Sequence, residues 1–556
     1  MRRLFPFLLI LPVRCASPPS CNAEPLALPL GDVQVLPEVR ESYIRGISTQ
    51  VGTPPQNLVL LPSAELNNTY ISDEESLCYN GETWGETDCK IRKGGRFYKD
   101  ASSSFSNASA IADAGGALNE STSESFGYKP LQELCESSLA GTDKIKLEGS
   151  VELEHFPFGI PRSRWNSAYT ALNPLGLGRN STYLNALRTA GKISSRVWSI
   201  FWGRMWVTNS MDGHLVLGGY DQAKVFGENY TAPLVYSEGH DGSPGCPTGM
   251  KITISDIVVN FRGGSSESIF APNTALPCCI DPAHRLLFEG PPIYIDTFEN
   301  VAGIKFINAS YGLHRYANQI EASNGFVADL TFQLESGLEI RVRNNQYAIP
   351  HVDIDKDGSR TFDQSKRDVL IRSVGDLGDK IGLLGRYFLT AAYLMVNHDA
   401  GTFTLWQANA TNETSLVRVF DEDMGKKCAN VTGVIQPSAT ISDIPSSTTA
   451  TEREEEDDDA EESGEKPSDG AVIGGSVAGA VVGVTLIVLG FLYFKNRRTG
   501  STSEDTGLES IADEQAGDTY YYYPNEEMER EQEVVMNTIR KENTDPKATV
   551  DLHELQ

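Results

Sequence analysis

From Tyr43 to Ile71 two apolar runs flank a turn at Gly52-Thr53-Pro54-Pro55, and that turn constrains the chain more than any other feature. Gly and Pro interrupt any helical period here, and the flanking residues suit extended backbone, so the stretch predicts a β-hairpin. Its second arm, Leu58-Val59-Leu60-Leu61, is apolar without alternation, as in a strand buried on both faces.

Further pieces of the same kind follow in order. Ala140 to Leu147 alternates like a strand, and Asn173-Pro174-Leu175-Gly176-Leu177-Gly178 precedes a short helical stretch, Leu184 to Ile193. Val197 to Phe201 reads as a strand, and Gly213-His214-Leu215-Val216-Leu217-Gly218-Gly219-Tyr220-Asp221 comes next. The second half repeats the plan. Val258–Phe261 and Ser268–Ala271 read as strands, and Ala275 to Phe288 holds a short apolar run that ends at Asp281. Asp296 to Phe298 suits a helix, and Ile340–Pro350, Leu383–Leu389, Tyr393–Val396 and Gly401–Leu405 read as closing strands.

Taken together over residues 40–408, these pieces resemble the pepsin-like aspartic proteases, including membrane-anchored fungal members. The family shows Gly-Thr-Pro-x-Gln before a buried strand, then Gly-Leu-Gly, a short helix, and Gly-x-Leu-x-Leu/Phe-Gly-Gly-x-Asp. The resemblance implies an all-β, bilobal acid protease fold, with an N-terminal lobe over 40–235 and a C-terminal lobe over 236–408. It also implies two catalytic Asp-Thr/Ser-Gly turns, and here the chain departs from the family. The first falls on Ser63-Ala64-Glu65; the second keeps Asp281, but Pro282-Ala283-His284-Arg285 replace the residues after it. The family's flap motif, Tyr-Gly-x-Gly-Ser, is absent; Phe126-Gly127-Tyr128 is its nearest counterpart, and a variable surface loop over Gly94 to Leu131 is the preferred reading.

The chemistry of such a site needs two adjacent carboxyls that share one proton, because two neighbouring charges cannot both ionise. One acts as base toward a water and the other protonates the scissile carbonyl. A serine hydroxyl is far too weak an acid for that role. Glu65 would start roughly 7 Å further along an extended strand, and the family's turn bends away there, so Glu65 is expected to point away from the pair. Ser63 lacks a nucleophile elbow, and His284 is the one histidine the fold could bring across to it.

Charge and cysteines bound the rest. A formal net charge of -28 argues against a nucleic-acid partner. Arg2-Arg3 followed by the apolar run Leu4 to Val13 reads as a secretory signal over 1–23, with Ala23 as the exit. Nine cysteines in an exported chain predict disulfides. Cys15 leaves with the signal, and so does Cys21 if Ala23 is the exit. Cys78 with Cys89 closes a small loop, a region where the resembled family often has a bridge. Cys246 pairs with Cys278 or Cys279, while Cys135 and Cys428 have no assigned partner. Sequons begin at Asn67, Asn107, Asn119, Asn180, Asn229, Asn308, Asn409, Asn412 and Asn430, all before the apolar segment that starts at 471.

Residues 409–470 read as a Ser/Thr-rich and then acidic stalk. Residues 471–494 carry no charge and are long enough to span a bilayer. Lys495, Arg497 and Arg498 put the disordered tail, 495–556, in the cytosol. Gly475, Gly479 and Gly483 stand on one face and offer a homodimer contact. Asp353, Asp355 and Asp357 match the front of a calcium loop, but its twelfth position is Gln364 and its eighth is Arg360, so a polar hairpin tip is the preferred reading. No cofactor is expected.

The expectation is therefore a single-pass type I protein of the plasma membrane or secretory pathway. Its pepsin-like ectodomain would bind a peptide or cell-surface ligand between the lobes as a pseudoprotease. The alternative is an active membrane-anchored aspartic-type endopeptidase.

Overall fold

The computed structural model describes residues 21–76, 85–120, 128–162, 172–236, 245–373, 381–420, 425, 426 and 428. All of them fall within one compact unit. The architecture is all-β in class: the described residues form twenty-five strands and four α-helices.

The opening hairpin is formed as its sequence predicts. Strands Tyr43–Val51 and Gln56–Ser63 pair antiparallel, with Val51 opposite Gln56. Gly52 turns the chain at φ +85, where a side chain would be strained and its Cβ would also lie 2.7 Å from Ser102 Oγ. The run Leu58 to Leu61 is buried throughout, because neighbours cover both faces of its strand.

Two large sheets carry the fold. In the first, the strands run Val225–Pro233, Thr402–Ala408, Ala392–Asn397, Val197–Arg204, Met211–Leu217, Leu26–Gln34, Tyr43–Val51, Gln56–Ser63 and Asn173–Gly176 in spatial order. Strands Leu139–Leu147 and Glu152–Ile160 form a hairpin that joins it through Tyr43–Val51. The second sheet runs Glu339–Val342, Ala328–Leu334, Lys251–Phe261, Leu276–Ile280, Gly382–Leu384, Phe288–Gly290 and Ile371–Ser373. Helix Pro292–Ala302 flanks it, with Pro at its first position and Gly303 left-handed at φ 62 just past its end.

Three expected boundaries move. A cut at 235/236 is not a clean seam, since strands 392–397 and 402–408 pair with strands of the first half. The fold also starts before residue 40, at Leu26. It continues past 408, because Leu416–Arg418 pairs with Gly219–Asp221 and Cys428 is bonded to Cys21 across 407 residues. That bridge, with the hydrogen bond from Arg418 to the Cys21 carbonyl, places Cys21, a residue within the expected leader 1–23, inside the fold.

Cys246 bonds to Cys279, and Cys278 is a buried free thiol on the opposite face of the same strand. Cys135 is also free. Cys89 is disulfide-bonded, and Cys78 lies outside the described residues. Among the described residues no helix is long and apolar enough to cross a membrane; residues 471–494, with Gly475, Gly479 and Gly483, lie outside them.

Candidate functional site

Ser63 and Asp281 end two strands that are built alike. Gln56–Ser63 pairs in parallel with Asn173–Gly176, and Leu177 N–H donates to the Ser63 carbonyl at 2.8 Å. Leu276–Ile280 pairs in parallel with Gly382–Leu384, and Asp281 N–H donates to the Leu384 carbonyl at 2.8 Å. In each case a glycine then crosses tightly over the turn. A Cβ on Gly176 would lie 2.4 Å from the Asn68 carbonyl oxygen, and one on Gly385 would lie 2.1 Å from that of Leu286. Only glycine fits either crossing. The two halves of the chain therefore present the same loop twice, with an alcohol at one tip and a carboxyl at the other.

Asp281 is 5 % exposed, and its Oδ1 accepts the Ala283 N–H at 2.9 Å. Burial pushes its carboxyl up to about 6, although the Ala283 N–H and the nearby Arg386 cation both favour the charged form. Arg386 is anchored by donating to the carbonyls of Ala283 at 2.7 Å and His284 at 3.2 Å. Its guanidinium also lies 5.2 Å from the centre of the Trp202 ring. His284, the histidine expected to approach Ser63, is fully buried with Nε2 3.6 Å from Glu289.

Glu65 follows the first tip by two residues. Burial first, then the Asp281 charge and then that of Glu120, together lift its carboxyl to about 8.

Glu120 was missed entirely. It is 1 % exposed and sits under the first loop, where its carboxyl accepts from Asn67 N–H at 2.6 Å, Asn68 N–H at 3.3 Å, Asn68 Nδ2 at 2.6 Å and Tyr70 hydroxyl at 2.5 Å. Nothing in the Ser- and Gly-rich stretch around it marks this role in the sequence. Burial raises its own carboxyl, and burial together with Glu120 holds the Tyr70 hydroxyl well above the usual range.

This packing corrects one sequon. Asn67 is 2 % exposed, and its amide nitrogen donates to the Asn119 and Glu120 carbonyls, so no glycan can attach there. Asn107, Asn119, Asn180, Asn229, Asn308, Asn409 and Asn412 are exposed, and Asn430 lies outside the described residues.

The calcium candidates form a hairpin tip. Asp353 is the penultimate residue of strand Ala348–Ile354 and is paired with Arg92 at 2.9 Å, while Asp355 and Gly358 close the turn. Among the described residues no group of three or more His, Cys, Asp or Glu side chains could hold a metal ion. Of the flap counterpart, Tyr128 begins helix Tyr128–Ser137, and Phe126-Gly127 lie outside the described residues.

A second buried polar group stands beside Arg386. Tyr387 shares a 2.5 Å hydrogen bond with His314 Nε2, and the fully buried Asp368 accepts from Ser310 Oγ and Gln319 Nε2, both at 3.0 Å, and meets His351 Nδ1 at 2.9 Å. The Asp368 contact raises the pKa of His351 above its ordinary value. Its folded value is thus above its unfolded one, so the stabilisation is complete below about pH 6.5. It is lost as pH rises through the folded value. We expect the stability difference between wild type and His351→Gln, read from urea midpoints, to be largest near pH 5.5 and to shrink by pH 8.

The chain matches no family model, and no curated protein aligns with it.

Proposed function

We propose that the folded part is a pepsin-like bilobal domain, and that it serves as the ectodomain of a single-pass membrane protein. In this reading the groove between the two loop tips binds an extended peptide or a surface ligand and does not carry out two-aspartate hydrolysis. The observation that carries it is the duplicated loop, with Ser63 at one tip and Asp281 at the other. Disulfides Cys21–Cys428 and Cys246–Cys279 and the exposed sequons fit an oxidising, glycosylating compartment. The uncharged run over 471–494 supplies the anchor.

The competing reading, a membrane-anchored acid endopeptidase, asks Asp281 to act as a base at acid pH. A carboxyl held up at about 6 is protonated there and has no charge to accept the proton of a water. We expect the full chain in detergent to bind a statine-containing peptide, with Asp281→Ala weakening binding by tenfold or more, roughly 1.4 kcal/mol. Equal binding by both proteins, measured by titration calorimetry, would remove Asp281 from the ligand site.

A further inference from the structure

Cys428 is the last described residue, and the sequence beyond it runs through the acidic stretch to the uncharged run over 471–494. Tension from that side therefore meets Cys428 first. Two connections lead from it into the fold. The backbone leads to Leu416–Arg418, which pairs with Gly219–Asp221 over only three residues. The disulfide leads to Cys21, five residues before strand Leu26–Gln34. That strand is interior to the first sheet and paired on both sides, over five residues with Met211–Leu217 and over four with Tyr43–Val51. Cys21 is also fastened where it stands. Its carbonyl accepts from Arg418 Nη1 at 2.8 Å, and Arg418 pairs with Glu24.

We propose that the Cys21–Cys428 bond carries tension from the stalk into the interior of the first sheet, and so keeps the end of the fold from being stripped. This rests on the anchored reading, in which a ligand held in the groove and the bilayer pull on opposite sides of the domain. While the bond is intact, Cys428 cannot move away from the start of Leu26–Gln34, and the C-terminal segment is shielded. That segment is weakly held. Besides its three strand pairs, Ser415 N–H donates to Asp221 at 2.7 Å, Gln222 N–H to the Ser415 carbonyl at 2.8 Å and Lys224 Nζ to the Glu413 carbonyl at 2.8 Å. Without the bond these contacts meet the pull in turn, and a segment with few contacts opens before the fold as a whole. Stripping stops at Ala408, because strand Thr402–Ala408 is paired on both sides. At about 3.3–3.6 Å per extended residue, the freed stretch 409–428 adds up to about 70 Å of tether.

Optical tweezers test this on the full chain in detergent, pulled between a handle on the C-terminal tail and one at Gln50, exposed on strand Tyr43–Val51. Wild type is expected to lengthen only when the fold unfolds. The double variant Cys21→Ser/Cys428→Ser should show an earlier step at lower force, up to about 70 Å long. Arg418→Ala keeps the bond and should give the wild-type trace, because its strand bears no tension. Should the double variant fail to fold, wild type folded first and then reduced with dithiothreitol must show the same step. An early step in untreated wild type, or none once the bond is gone, overturns the proposal. Alkaline carbonate tests the anchor by itself: chain released from membranes refutes the anchored reading, whatever the tether shows.

Discussion

Replacing Glu120 by leucine is expected to destabilise the fold by about 3–5 kcal/mol. The change leaves three buried donors, the Asn67 and Asn68 N–H groups and the Tyr70 hydroxyl, without their acceptor, and takes from Asn68 Nδ2 one of its two. A buried donor left unmade costs about 1–3 kcal/mol, and relaxation or an entering water recovers part of the sum. Glutamine keeps one acceptor oxygen and the volume, so Glu120→Gln should cost about half as much. Equilibrium urea unfolding followed by tryptophan fluorescence separates the two variants. A leucine variant within about 1 kcal/mol of wild type would show that the donors find other partners.

The second large effect is expected at Gly385. An alanine there places its Cβ against the backbone oxygens of Leu286 at 2.1 Å and His284 at 2.6 Å. Backbone cannot swing aside as a side chain tip can, so the loop must move, at a cost of about 3 kcal/mol. The moving loop is the one that holds Asp281 to Leu384. Binding of the statine-containing peptide should fall by about 10²-fold, since a shift on the order of 1 Å suffices for that. Gly401→Ala is the control: its φ is +65 but nothing lies within 4 Å, so only backbone strain of about 1 kcal/mol is expected. Calorimetric Kd values for both variants check the contrast. Equal losses would mean that the crossing at Gly385 does not position the site.

The legible parts of this chain were those that local physics decides. The hairpin around Gly52 needed only apolar arms and a left-handed glycine, and Ser63 and Asp281 were found at the tips of equivalent strands. Asp296 to Phe298 suited a helix, and helix Pro292–Ala302 contains them. What sequence could not supply was direction and partnership at long range. Glu120 lies 53 residues from Asn67 in a stretch without periodicity, so only the folded chain shows that it supports the loop. Asn67 satisfies the sequon pattern, yet the pattern says nothing of burial. The seam between lobes was misjudged because strands 392–397 and 402–408 look like any closing strands, and their pairing with the first half is a matter of topology.

The most direct test concerns what Asp281 can do without an aspartate opposite it. The full chain is incubated with unfolded casein at about pH 4, where a two-aspartate site is half-ionised and Asp281 alone is not. The account predicts that no cleavage depends on Asp281, although the statine-containing peptide still binds near neutral pH. Cleavage at about pH 4 that Asp281→Asn abolishes and the statine-containing peptide blocks would contradict it.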